Sequence, residues 1–191
     1  MGSIKETEKK ATRSAAPIWR AYIGLGNPGS EYEHTYHSAG RQLVVTLAQK
    51  TGAVDWKSPK GKPFSYAMNA GVAYCILNNY MNTSGPALHA ALTYLKIPLT
   101  AALVCHDDSD MTVGKYKIVL GQRSAGHKGV QSIMDTFGTQ DFWRCKIGIR
   151  PATEAVRQKA EEFVLKKIKR EDAGVFEDVF IKIAAEANRK E

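Results

Sequence analysis

The chain has 191 residues, 43% of them hydrophobic and 24% charged, and a formal net charge of +8. This suits one globular domain with a sizeable core, and no apolar run approaches the roughly 20 residues that a membrane-spanning helix needs. The charge favours polyanionic partners, nucleic acid ahead of an acidic membrane, against the plainer reading of a solvated basic surface.

Residues 1–17 lack the apolar segment of a secretory signal, their acids weigh against a mitochondrial leader, and Glu6 stands where a myristoylation signal wants Ser or Thr. They read as a mobile N-terminal extension, native or in part a tag, ahead of one domain at 18–191. The apolar run 19–25 leads into Gly24-Leu25-Gly26-Asn27-Pro28-Gly29, a strand entering a tight loop. Leu43, Val44, Leu47 and Ala48 recur at helical spacing in a helix that starts near Ala39 and ends at Gly52. Residues 55–63 are polar and breaker-rich, a loop. Residues 64–68 and 72–77 flank Asn69-Ala70-Gly71 as a hairpin. Ser84-Gly85-Pro86 reads as a cap followed by proline near the first turn of a helix whose apolar side carries Leu88, Leu92 and Leu95. A short buried strand, 101–105, ends at His106-Asp107-Asp108. Residues 115–120 form another strand, 121–129 a glycine-bearing loop, and Val130, Ile133 and Met134 belong to the helix after it. Residues 142–149 are a further strand, and from Ala155 onward the pattern is helical and strongly charged, with Val175, Val179 and Ile183 in one stripe.

Strands alternate with helices, so the class is α/β: a single domain whose mixed, mostly parallel twisted sheet is flanked by helices. Cys75, Cys105 and Cys145 each lie in an apolar, strand-like stretch. An odd count without metal-ligand spacing points to buried thiols in a reducing compartment, and neither a metal nor a cofactor is expected. The glycine stretch formally fits the dinucleotide fingerprint GxGxxG. That fingerprint opens directly into a helix and has an acid about 20 residues on, whereas here the helix starts later and Val44-Val45-Thr46-Leu47 carries no acid. A plain tight turn accounts for the stretch as well.

Asn27-Pro28-Gly29, Tyr32 and Thr35-Tyr36-His37-Ser38-Ala39-Gly40 together resemble the opening signature of bacterial-type peptidyl-tRNA hydrolases, N-P-G, x-x-Y, then T-R-H-N-x-G. Four further blocks follow in order: Tyr80-Met81-Asn82-Thr83-Ser84-Gly85, His106-Asp107-Asp108, Gly126-His127-Lys128-Gly129, and Phe142-Trp143-Arg144-Cys145-Lys146-Ile147-Gly148-Ile149. Phe163-Val164-Leu165 is similar to the F-V-L near the family's C-terminal helix. The resemblance runs from about Trp19 to the end. It implies that His37 is the catalytic base, that Asp107 supports it, that Asn27 senses the acylated amine, and that Tyr32 contacts the tRNA end. The substrate implied is peptidyl-tRNA released from stalled ribosomes, cleaved at its ester by a monomer without cofactor. Cytoplasm is the default compartment and a mitochondrial one the alternative.

The chemistry agrees with the residue types. Ester hydrolysis at neutral pH needs a base to activate water, and histidine titrates in that range. An aspartate at a strand end can accept the imidazole N–H, fix the ring and stabilise its charged form. Taken singly, His37 reads more readily as a surface or capping residue, and Asp107 also fits a helix cap or loop residue. His106 is a rival base, but strand alternation turns it to the face opposite Asp107. Asn82 and amides of the loop near Gly126 and Gly129 are the candidate donors for an oxyanion. Ser109 and Ser124 lack a nucleophile elbow, which leaves water as the nucleophile. Tyr80 and Met81 line the groove for peptide and terminal adenosine or fill core. His127 and Lys128 belong to the substrate-facing loop. Lys117, Arg144 and Lys146 fall on the RNA-facing surface, and Lys159, Lys166, Lys167, Lys169 and Arg170 add a basic stretch that is otherwise a solvated face.

Three positions depart from the family pattern. Lys128 stands for an asparagine, and an ammonium only donates where an amide donates and accepts. Ser38 replaces the asparagine after the histidine, and Tyr36 an arginine. These departures keep open an alternative: a catalytically weak, RNA-binding paralogue of the splicing-partner type.

Overall fold

The computed structural model describes residues 19–151 and 159–187; the extension expected at 1–17 lies outside them. A six-stranded sheet in the order β2-β3-β1-β4-β6-β5 forms the centre. It comprises β1 (Ala21–Gly24), β2 (Phe64–Asn69), β3 (Val72–Leu77), β4 (Ala102–Thr112), β5 (Tyr116–Leu120) and β6 (Trp143–Arg150). The inner pairs β3–β1, β1–β4 and β4–β6 are parallel, and the edge pairs β2–β3 and β5–β6 are antiparallel, as the expected mixed, mostly parallel sheet requires.

Helices cover both faces, which is why β1 is buried along its whole length. On one face Leu43, Val44 and Leu47 of α1 (Ala39–Thr51) and Phe176, Val179, Phe180 and Ile183 of α5 (Arg170–Ala187) share a core with Leu103 and Cys105. On the other, Leu88, Ala91 and Leu92 of α2 (Ser84–Leu95) and Val130 and Ile133 of α3 (Lys128–Phe137) pack with Ala102 and Val104. The period-2 alternation of β4 therefore persists up to the polar triplet that follows.

Glycine sets how closely α1 approaches the sheet. A β-carbon at Gly40 would collide with the carbonyl of Cys105 and with His106 Cα. Both are backbone atoms that cannot swing aside. Gly40→Ala is expected to destabilise the fold by about 2 kcal/mol, overpacking outweighing the better helix propensity of alanine. At about 2–4 °C per kcal/mol for a domain of this size, a thermal melt would show a fall of several degrees. An unchanged melting temperature would mean that α1 is free to lift.

Three expectations need correction. The strand expected at 101–105 runs on to Thr112, because β6 continues beside it to Arg150 with a register shift between Asp108 and Thr112. Ser84 is the first residue of α2 and Thr83 its cap, with the Ser84 hydroxyl donating to Met81 O at 2.8 Å. The helical pattern read from Ala155 divides into α4 (Ala160–Phe163) and α5, and its residues 155–158 lie outside the described part. Between the two helices the backbone serves another segment: Tyr36 N–H donates to Lys166 O (3.2 Å), His37 N–H to Val164 O (2.8 Å), and Ile168 N–H to His34 O (2.7 Å). A helix through 164–168 would consume those groups internally.

Candidate active site

The C-terminal ends of parallel strands β1 and β4 open into one crevice, the usual ligand position in a wound α/β sheet. Asn27 follows β1, and the turn Tyr36–Ser38 ahead of α1 carries His37. Asp107 lies within β4 and is 3% exposed, while His37 is 14% exposed. His37 Nδ1 is 2.9 Å from Asp107 Oδ1, and a second imidazole, His127 Nε2, reaches the same oxygen at 3.0 Å. Burial by itself raises the Asp107 pKa, yet His37 and His127 together hold it well below the ordinary carboxylate value. Asp107 is therefore an anion accepting two N–H bonds.

The protons can be assigned from these partners. His127 caps α3, its Nδ1 accepting the N–H of Gly129 and of Val130, each at 3.2 Å. Its one proton must then sit on Nε2, directed at Asp107, and the ring is neutral. His37 likewise donates from Nδ1, so its Nε2 lone pair is left for the groove. Burial lowers the His37 pKa, Asp107 raises it by charge and hydrogen bond, and Lys128 opposes Asp107; the net effect is a pKa above the ordinary value. His106, the rival base, lies on the α3 side of β4, with its ring 4.8 Å from that of His127 and Nδ1 donating to Asp107 O at 2.7 Å. Burial first, and His127 next, hold its pKa far below the ordinary value.

A groove of about 860 Å³ opens over these groups, lined by Asn27, His37, Met81, Asn82, Asp107 and Lys128 among others. Asn27 Oδ1 accepts Met81 N–H at 2.9 Å, which turns the Asn27 amide nitrogen into the donor available to a ligand. Asn82 is exposed in the groove wall, and Met81 beside it is buried. Tyr80 is 58% exposed. It lines the groove, and Tyr32 meets it edge-on at 6.3 Å from outside the lining. Lys146 borders the groove with its ammonium 2.6 Å from Asp108 Oδ2. Lys117, its neighbour in register on β5, is exposed and stands outside the lining.

Arg144 is more deeply buried than its sequence setting suggests. Placed on the RNA-facing surface by the resemblance, it is 1% exposed. Its guanidinium lies 5.4 Å from the Phe142 ring and donates to Gln122 O (2.6 Å) and Arg123 O (3.2 Å). It braces the 121–127 loop from beneath and also belongs to the lining of the groove. Arg144→Met should remove the two hydrogen bonds that the guanidinium gives to the Gln122 and Arg123 carbonyls, at about 1 kcal/mol each, and loosen the loop that presents His127. Hydrogen exchange rising in 121–127 before the rest of the fold would show this, whereas unchanged protection there would refute the bracing role.

Sequence reasoning missed the backbone clamp on His37 from Val164, which joins segments 127 positions apart, and the tautomer lock at His127, for which the S/T/N/D capping pattern gave no signal. The departures at Tyr36 and Ser38 are absorbed locally. Tyr36 donates to Asp172 Oδ2 at 2.5 Å and packs on Phe163 and Phe176, tying α5 to the turn that carries His37. Ser38 donates to Tyr32 O at 2.8 Å. Asp107, His37 and His127 also bring three potential metal-ligand atoms within 4.8 Å of one another. A neutral His127 ligating through Nε2 would carry its proton on Nδ1, facing the two N–H groups that Nδ1 now accepts. The donor set fits protons better than a cation.

The family model described as peptidyl-tRNA hydrolase matches residues 21–190. The chain belongs to the peptidyl-tRNA hydrolase family. Among its relatives, the peptidyl-tRNA hydrolase of Saccharophagus degradans is 37% identical over 160 residues, covering 82% of this chain and 80% of that one. That of Carboxydothermus hydrogenoformans is 37% identical over 167 residues, covering 86% and 87%. The crystal structure of peptidyl-tRNA hydrolase from Acinetobacter baumannii superposes with a TM-score of 0.76 at 27% identity, over 89% of this chain and 87% of that one. The peptidyl-tRNA hydrolase fold thus extends over nearly the whole described chain, and no described helix is long and apolar enough to cross a membrane.

Proposed function

We propose that this chain hydrolyses the ester bond between tRNA and a peptide or N-blocked amino acid, recycling peptidyl-tRNA released from stalled ribosomes. The observation that carries the proposal is the orientation of His37: Nδ1 is held by buried Asp107 and Nε2 is left facing a groove that also contains Asn27 and Asn82. In this reading His37 Nε2 removes a proton from water, and Asp107 stabilises the imidazolium that results. Asn82 places the scissile carbonyl. The Asn27 amide nitrogen, its oxygen occupied by Met81, donates to the acyl oxygen of a blocked amine. A free α-ammonium at that point would meet a donor and be rejected. Tyr80 and Tyr32 offer stacking faces for the terminal base, and the exposed Lys117 with groove-lining Lys146 and Lys159 meet the tRNA backbone. His127 keeps Asp107 ionised and in place. The protein acts as a monomer in the cytoplasm, without a cofactor.

The alternative of a catalytically weak RNA-binding paralogue rested on Tyr36, Ser38 and Lys128, and the first two leave the base and its partner undisturbed. Comparing N-acetylated with unblocked aminoacyl-tRNA, both as substrates under single-turnover conditions, tests the proposal. Release of the acyl group from the blocked ester alone supports it; equal release from both, or from neither, counts against it.

A further inference from the structure

We infer that Lys128 is the electrophile of this reaction, its ammonium taking up the negative charge that develops on the ester carbonyl oxygen; the inference rests on the hydrolase reading above. Lys128 is the first residue of α3 and directly follows His127, whose ring is 5.1 Å from that of His37. It lines the groove together with His37 and Asn82. Among the described residues no carboxylate pairs with its ammonium, in contrast to Lys146, which sits 2.6 Å from Asp108. The position is also electrostatically unfavourable for folding. A cation in the first turn of a helix opposes the positive end of the helix dipole, and the charge of Lys128 works against protonation of His37. An anion formed between these groups would relieve both conflicts.

The backbone leaves room for this role. Oxyanion donors in acyl-transfer sites are commonly loop or helix-end amides, but here those of Gly129 and Val130 are spent on His127 Nδ1 and that of His127 on Ser124 O at 3.0 Å. The side chain of Lys128 supplies what those amides do not. As His37 Nε2 takes a proton from water, the water oxygen bonds to the ester carbon. The carbonyl π pair moves onto oxygen, where Lys128 Nζ–H donates. When that pair returns, the bond from carbon to the ribose oxygen breaks, and the proton held by His37 passes to the departing oxygen. The position of Lys128 beside the base separates this role from phosphate binding, for which Arg123 and Lys159 lie elsewhere along the groove.

The test is steady-state kinetics on N-acetylaminoacyl-tRNA for the parent, Lys128→Gln, Lys128→Met and Lys128→Arg, with the affinity for uncharged tRNA measured alongside. Loss of the ammonium should lower kcat by about 10²-fold, as removal of one oxyanion donor does, with KM and tRNA affinity within about threefold of the parent and substantial activity kept by Lys128→Arg. The groups facing His37 are Asp107 from β4 and His127 and Lys128 at the head of α3, while the C-terminal segment offers it the Val164 carbonyl. With the opposing charge gone, the acid limb of kcat/KM should move to higher pH in Lys128→Gln and Lys128→Met. A raised KM at unchanged kcat would assign Lys128 to a phosphate and overturn the inference, as would unchanged kcat with an unmoved limb. A parent that binds tRNA and releases nothing would defeat the hydrolase reading itself.

Discussion

His37→Ala is expected to lower kcat/KM for N-acetylaminoacyl-tRNA by about 10³-fold, within the 10²–10⁴ that a positioned general base contributes. Among the described residues the ring is the one group in the groove whose free nitrogen is directed by a buried anion, so none of them substitutes for it. His106 is closest in type, but burial and His127 hold its pKa far below the ordinary histidine value, and its Nδ1 proton is committed to Asp107 O. His127 is equally committed, donating from Nε2 and accepting at Nδ1. Affinity for tRNA should persist, since His37 is only 14% exposed and the backbone bond from His37 N–H to Val164 O does not involve the side chain. Loss of binding together with turnover would point instead to a collapsed 34–38 turn, which circular dichroism and the melting temperature would reveal.

Asp107→Asn is expected to reduce kcat by about 10- to 100-fold and to move the pH profile in the opposite direction from the Lys128 variants. Both imidazoles end on one oxygen, Asp107 Oδ1. An asparagine can keep its carbonyl there and accept both bonds, so the His37 tautomer survives and the charge is lost. That charge is what lifts the His37 pKa against the effect of burial. Without it the pKa falls, the acid limb moves to lower pH, and the plateau drops because a weaker base forms an uncompensated imidazolium. Stability follows the carboxylate in the sense of a depressed group. Its contribution is present above the unfolded value of about 3.9 and is lost as pH falls through the lower folded value. Acid unfolding of the parent should therefore steepen below about pH 4, and the asparagine variant should lack that component. A variant with the parent's limb, or with parental kcat, would remove Asp107 from the mechanism.

How far the molecule could be read from its sequence depends on the distance over which each feature is determined. The α1 stripe of Leu43, Val44 and Leu47, the Asn69-Ala70-Gly71 turn and the strand-helix alternation are local, and the structure matches them. The extent of β4 was not legible, because His106-Asp107-Asp108 is polar enough to end a strand, and what keeps it in the sheet is β6 alongside. The C-terminal pattern read as unbroken helix because its periodicity is local, whereas the interruption is set by hydrogen bonds to residues 34–37. For the site, the motif order placed His37 and Asp107, and packing brings them together. The burial of Arg144 was not legible, because it depends on the Gln122 and Arg123 carbonyls, which the resemblance that put this residue on the RNA-facing surface does not reveal. The part played by His127 emerges only once the head of α3 is folded, since an imidazole can cap a helix and hold a carboxylate only in one tautomer.

The most direct test is the rate at which the full chain releases N-acetylated amino acid from tRNA at neutral pH, followed beside His37→Ala at equal occupancy by substrate. Rapid release by the parent, yielding intact tRNA and the free N-acetylated acid, with release by the variant reduced by about three orders of magnitude, is the predicted result. A parent that occupies tRNA and leaves the ester intact, or a His37→Ala variant as fast as the parent, would contradict the account.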